Sequence, residues 1–192
     1  MAASTLFPVG HYAGLRPDDD GLPLHAIRIG WQQHRLSEDA FGTWVLSHGT
    51  PQLGKGSWSA DDLVAAALDA GISEPARHAE ALATDGLLAS ASEAFAKAYR
   101  LDVQFVGLGN SPENPDQYAV GLPGLGAAAM LDPSSYELWQ WGSVAPTLWH
   151  MCQVRASIAG DAEPADALTS VLGDLRYLVA HGCAYVDVAD PR

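Results

Sequence analysis

Two stretches of the chain carry one pattern. Leu36, Ser37, Phe41 and Trp44 recur 95 residues later as Leu131, Asp132, Tyr136 and Trp139. Each set reads as a leucine, a small polar N-cap, then two aromatic side chains three residues apart on one helix face. A second pair of anchors, Leu82 with Gly86 and Leu178 with Gly182, recurs at a spacing of 96. Anchors at nearly one spacing indicate a duplicated unit of about half the chain, and that limits the folds available.

Local signals fill in each copy. In the first half, Leu24–Ile29 alternates like a half-buried strand and Trp31–Leu36 is a second strand candidate. Ser37 then caps a helix through Phe41 and Trp44. Ser59 and Asp62 form a capping-box pattern for a second helix, and Glu74–Asp85, with Pro75 in its first turn and Gly86 after its end, reads as a third. In the second half, Leu101–Gly107, Tyr118–Leu122 and Ala127–Leu131 are strand candidates, and Gly109–Gln117 reads as a polar loop. Asp132 with Pro133 opens a helix, Pro146 the next, and Asp166–Ala180 is a long third before the strand Ala184–Val188. The pattern predicts an α+β fold, mainly helical, of two tandem winged helix-turn-helix-like units. Residues 1–90 form the first, 91–100 a linking helix and 101–192 the second.

At 48% hydrophobic and 17% charged residues the chain has a globular composition. No apolar run reaches the roughly 20 residues of a membrane span, and no secretory signal is visible, so a cytoplasmic protein with reduced thiols is expected. The net charge is −13 and the only lysines are Lys55 and Lys97. That balance argues against a phosphate backbone as partner, which needs clustered cations.

Several constellations have simple structural readings. His150 with Cys152 and His181 with Cys183 could suggest a zinc site. Residues two apart on a helix, however, point about 200° apart, so the cysteines read as buried apolar groups and no metal or cofactor is expected. The acidic run Asp18–Gly21 lacks the further positions of a calcium loop, and Gly121–Gly126 reads as a hairpin turn. No Gly-x-Ser-x-Gly elbow, His-Glu-x-x-His or P-loop is present. The expectation is a protein that binds and does not catalyse.

Leu131, Asp132, Tyr136, Leu138 and Trp139, the helix from Pro146, and Leu172, Leu175, Leu178 and Gly182 together resemble the PqqD-like family, the peptide-recognition modules of ribosomal peptide biosynthesis. The first half resembles a more diverged copy through Leu36, Ser37, Phe41, Trp44, Leu82 and Gly86 to Leu88. The resemblance implies three strands followed by three helices, with a partner's precursor or leader peptide adding as a further strand beside the third helix. Carried over, the peptide edge is Ala127, Ala128, Ala129, Met130 and Leu131, flanked by Asp166–Ala180. Arg176, read as lying on the less apolar side of that helix, would pair with an acidic residue of the peptide, and Trp141 would be an exposed anchor. The alternative is a winged-helix transcriptional regulator that binds DNA through Arg28, Arg35 and Arg77, or a small-molecule effector in an aromatic cleft between the halves.

Overall fold

The computed structural model describes residues 4–18, 20–160 and 162–189; Asp19 of the acidic run and the ends of the two expected units lie outside them. A short strand β1 (Leu6–Pro8) leads into an antiparallel meander of β2 (His11–Pro17), β3 (Pro23–Ile29) and β4 (Gln32–Leu36). Helices α1 (Glu38–Leu46), α2 (Ala60–Asp69) and α3 (Pro75–Thr84) follow, and β5 (Leu88–Ser90) returns to pair with β1. After α4 (Glu93–Ala98) the same order runs again. It comprises β6 (Tyr99–Val103), the meander β7 (Val106–Ser111), β8 (Asn114–Leu122) and β9 (Gly126–Leu131), then α5 (Pro133–Gly142), α6 (Leu148–Ala159) and α7 (Pro164–Ala180). It closes with β10 (Ala184–Val188) pairing with β6. Helix takes 42% of the residues and strand 30%, so the chain is α+β with four small antiparallel sheets and more strand than a mainly helical fold.

The repeat extends to single hydrogen bonds. The Trp44 indole N–H donates to the Val9 carbonyl and that of Trp139 to the Gln104 carbonyl, both at 3.2 Å. Val9 and Gln104 each follow the first strand of their copy, and their own N–H groups donate to Leu87 and Cys183, just beyond the third helix. Each indole therefore ties the first helix of its copy to the ribbon made by its outer strands. The aromatic stack above it repeats as well. His25 lies on Phe41 (3.8 Å between ring centroids) as Tyr118 lies on Tyr136 (4.3 Å), and Phe41 and Tyr136 stack on the two tryptophans. His25 and Tyr118 are also the register partners of Leu36 and Leu131. Even backbone irregularities recur. The first meander strand is bulged in each copy where Gly14 (φ 89°) and Gly109 (φ 86°) stand. Phe105 takes φ 70° where the first copy has Gly10 at 98°, so the frame demands that conformation even of an unfavoured residue.

Three sequence expectations need correction. Gly109–Gln117 is not a loop. β7 and β8 run through it as a hairpin joined by Pro112 and Glu113, and most of their residues are exposed, so no alternation marked them. The helix expected from Pro146 begins at Leu148, because the Thr147 side chain accepts from the His150 N–H as N-cap. The strand expected over Leu101–Gly107 is broken, because β6 ends at Val103 and β7 begins at Val106, with Phe105 at φ 70° between them. The linking helix α4 buries Phe95 and Ala96, and Phe95 stacks on Phe7 of β1.

The two copies share one continuous apolar core, in which Phe7, Leu101, Leu175 and Val186 are all buried. Truncating Trp139 to Ala removes both a large buried ring and the tie to Gln104. Trp139→Ala should lower stability by about 3–5 kcal/mol in urea denaturation. A loss below about 1 kcal/mol would show that the indole does not hold α5 to the outer ribbon.

Candidate functional site

β4 and β9 occupy the same place in their copies, each an outer strand of a three-stranded sheet with one side unpaired. Their side chains differ. β4 exposes Gln32, Gln33 and Arg35, long polar groups that shield its backbone. β9 exposes Gly126, Ala127, Ala128 and Met130, while Ala129 and Leu131 face the core. Nothing longer than a methyl group guards residues 126–128. Gly121 on β8 enables this packing, because a Cβ there would lie 2.3 Å from the Gly126 carbonyl oxygen. The expected residues Ala127 to Leu131 therefore do form an edge, with Ala129 and Leu131 serving as its anchors in the core.

α7 flanks this edge through one side chain. The Tyr177 hydroxyl donates to the Met130 carbonyl at 2.9 Å. Just beyond β9, Lys55 from the first copy bridges Asp132 (2.6 Å) and Asp174 (2.5 Å). Asp174 is buried and also takes Arg155 at 2.6 Å and the hydroxyls of Ser134 and Ser135. The two carboxylates hold the Lys55 ammonium above its ordinary pKa against the opposing effect of burial, and against the same effect Lys55 and the Ser135 N–H hold the Asp132 carboxyl below its ordinary value. The end of the edge is thus a fixed charged node with one partly exposed carboxylate, Asp132.

Arg176 and Trp141 are not part of this edge. Arg176 is fully buried. Its guanidinium donates to the carbonyls of Ser47 (3.1 Å), His48 (3.0 Å) and Leu6, and it lies 4.3 Å over the Phe7 ring. No peptide can reach it. The helix repeat could have shown this, since Arg176 stands four residues after Leu172 and three before Val179, inside the buried stripe. Trp141 is exposed as expected, but α5 carries it about 160° round from Trp139, so it faces α6 and not the sheet. Tyr177 and Lys55 were missed. Tyr177 sits one place past Arg176, at the rim of the stripe, whereas nothing in the Gly/Ser-rich loop around Lys55 signalled its role.

A second feature lies between the copies. A cleft of about 550 Å³ is lined by His11, Tyr12, Phe41, Trp44, His48 and Gln104, with the end of α7 and the start of β10 as its far wall. None of its lining side chains is Asp, Glu, Lys or Arg. At its mouth Tyr12, His25 and Glu38 stand in line, with 3.3 Å from the Tyr12 hydroxyl to the His25 ring and 2.8 Å from that ring to Glu38. In the second copy Tyr118 replaces His25 on the same stack, so the ring stack and not the contact with Glu38 is what the copies share. Glu38 is open to solvent, where such a pair is worth little. The described residues hold no cluster of three or more metal-ligating side chains. Cys152 and Cys183 are free and buried, and burial pushes the Cys183 thiol up to about 11.

No family model matches the chain, and no curated protein sequence or solved structure matches it either.

His48 caps the end of α1 beside Arg176. Burial, helped by the nearby guanidinium, lowers its pKa to about 4 although the Val45 and Trp44 carbonyls oppose the change. Its ordinary value is 6.5, so the unfolded chain binds the proton more strongly. The stabilisation is complete above pH 6.5 and is lost as pH falls from there through about 4. In an NMR titration the His48 ring should stay neutral until about pH 4. The fall of the thermal midpoint across that window should be shallower in His48→Gln. A His48 midpoint near 6.5 would show the ring to be solvated.

Proposed function

We propose that this protein is a non-enzymatic polypeptide-binding module that takes an extended segment of its partner along β9, beside α7. The observation that carries the reading is the contrast between two equivalent edges, one shielded by Gln32, Gln33 and Arg35 and the other bare from Gly126 to Ala128. A bare edge invites strand addition, in which backbone hydrogen bonds supply affinity and side-chain pockets supply selectivity. The small side chains let a second backbone approach closely. Met130 on the edge and Leu122 and Leu125 at the β8–β9 turn offer exposed apolar contacts. A precursor or leader peptide as partner belongs to this reading through the PqqD-like sequence resemblance; each copy sets its three-stranded meander directly before its three helices, with one further strand before and one after. A helix-turn-helix-like arrangement of each trihelical set belongs to the same reading.

Charge selects the segment. Among the described residues, Arg28, Lys55, Arg77, Lys97, Arg100 and Arg155 all have carboxylate partners and Arg176 is buried on carbonyls, which leaves Arg16 and Arg35. With a net charge of −13, this favours a segment with basic residues and disfavours a nucleic acid. It weakens the regulator alternative, since Arg28 is held by Asp187 and Arg77 by Glu74. The described helices include none long and apolar enough to cross a membrane. Two buried free thiols are in keeping with a reducing cytoplasm.

A second reading rests on the uncharged aromatic cleft, whose volume falls within the range of small-molecule sites, about 300–1,000 Å³. A flat neutral effector bound there would change Trp44 fluorescence and be insensitive to changes in β9.

To test the first reading, a photo-reactive residue is placed at Ala128 or, as the matched control, at Gln33, and cross-linking is carried out in cells of the source organism. A discrete polypeptide adduct should form from position 128 and not from 33. Ala128→Pro, which removes a backbone donor and fixes φ, should abolish binding of that polypeptide to the purified protein while the thermal midpoint stays near the original. Equal adducts at both edges, or unchanged binding in the folded proline variant, would refute strand addition at β9.

A further inference from the structure

α6 is apolar on two sides. One side, Leu148, Met151, Cys152 and Ala156, is buried. The other carries Val154 and Ile158 outward, with Ile158 77% exposed. Trp141 (55%) and Val144 (73%) come from α5 and its end to complete a groove of about 340 Å³. Polar His150, Gln153 and Ser157 are also exposed on α6, so the outward apolar residues form a stripe beside polar ones. The fold itself does not require this surface. α2, the matching helix of the first copy, buries Leu63 and Ala67 and turns Asp61, Asp62, Ala65, Leu68 and Asp69 to solvent. One frame thus carries a largely acidic face in one copy and an apolar face in the other.

The electrostatics of the groove are one-sided. Arg155, its only permanently cationic lining side chain, is taken by Asp174 at 2.6 Å and the Ser134 carbonyl at 2.9 Å. Glu137 on the opposite wall is exposed and has no cation within ion-pairing distance among the described residues. The last turn of α6, beside Ile158, has no basic residue to offset the negative end of the helix. Apolar floor and negative rim together select the occupant. We infer that the α5–α6 groove is a second docking surface, independent of β9, which receives a basic amphipathic helix of a partner protein. The partner's apolar face covers Trp141, Val144 and Ile158, and its cations lie over Glu137 and the end of α6.

The probe is a fluorescein-labelled synthetic helix of about 18 residues, with Leu on one face and Lys on the other. Its counterpart has Glu in place of Lys. Fluorescence anisotropy should show salt-sensitive binding of the Lys helix and weaker or no binding of the Glu helix. Ile158→Asp and Val144→Asp should each weaken the Lys helix by roughly tenfold or more, while Ala128→Pro leaves it unchanged. Attraction to an acidic protein by charge alone would go the other way, because each Asp variant adds a carboxylate. Unchanged or tighter binding in the Asp variants would overturn the proposal, and so would equal affinity for the Glu helix. A dimer in sedimentation that Ile158→Asp dissolves would equally overturn it, since a second copy would then cover the face. Loss of Lys-helix binding in Ala128→Pro would place the probe on β9 and reject the groove. Val144 and Ile158 are both largely exposed, so the two Asp variants should keep the fold.

Discussion

A cation in the core joins the two halves of this molecule. Arg176 reaches from α7 of the second copy to the carbonyls of Ser47 and His48, where α1 of the first copy ends, and to that of Leu6 at the start of β1. The last carbonyls of a helix have no intrahelical partners and carry the negative end of its dipole. The guanidinium supplies donors and positive charge at that point, and the face of Phe7 provides a further favourable surface. Burial costs the cation enough to lower its pKa to about 10, which still leaves it charged at neutral pH. An uncompensated charge in that position would be far more costly. The three carbonyls are therefore what permit one continuous core across both copies. Lys55, Asp174 and Arg155 provide a second tie at the rim, and Asp187 a third, by accepting from the Gly30 N–H at 2.7 Å and from Arg28.

Within that shared frame the copies have diverged at the surface. The indole ties, the ring stacks and the bulges are the same in both. The outer strand and the second helix are not. The first copy has a guarded edge and an acidic helix face, and both are ordinary solutions for a surface in water. The second copy has a bare edge on β9 and an apolar face on α6. Both changes reduce protection against association, and both fall on the copy whose helix α7 anchors the whole molecule.

Residues that do the same work in both copies were legible in the sequence. Trp44 and Trp139 stand at one register because each must reach a carbonyl next to the first strand of its copy, and that constraint fixes the spacing. Ser59 and Asp132 marked helix starts because a side-chain oxygen there accepts a free N–H. Other features lacked a pattern to read. The β7–β8 hairpin is held by backbone pairing with little burial, so its composition looked like that of a loop. Arg176, expected on the less apolar side of α7 to pair with an acidic residue of the peptide, lies inside the buried stripe between Leu172 and Val179. What the repeat does not show is the set of carbonyls at the end of α1 and the start of β1 that receives the guanidinium. The edge at Ala127–Leu131 could be placed from the repeat, but that it is bare by comparison with β4 emerged only when the two sheets could be set side by side.

α5 connects the two exposed surfaces of the second copy. Tyr136 and Trp139 face its sheet and fix the frame that holds β9, while Trp141 and Glu137 face the groove along α6. The helix is pinned at its start by the Asp132 cap and by Ser134 and Ser135 on Asp174. A surface held this firmly spends little conformational entropy on meeting a partner. The same rigidity separates the two surfaces. A ligand on one can influence the other only if it favours a different position of α5, and Asp174 binds that helix to α6 through Arg155 and to the first copy through Lys55. Were both proposed surfaces to dock partners, that buried node would keep the two events independent, and a single polypeptide with an extended segment and a basic helix could engage both at once. Its two sites would then add through effective concentration and not through any change in the protein.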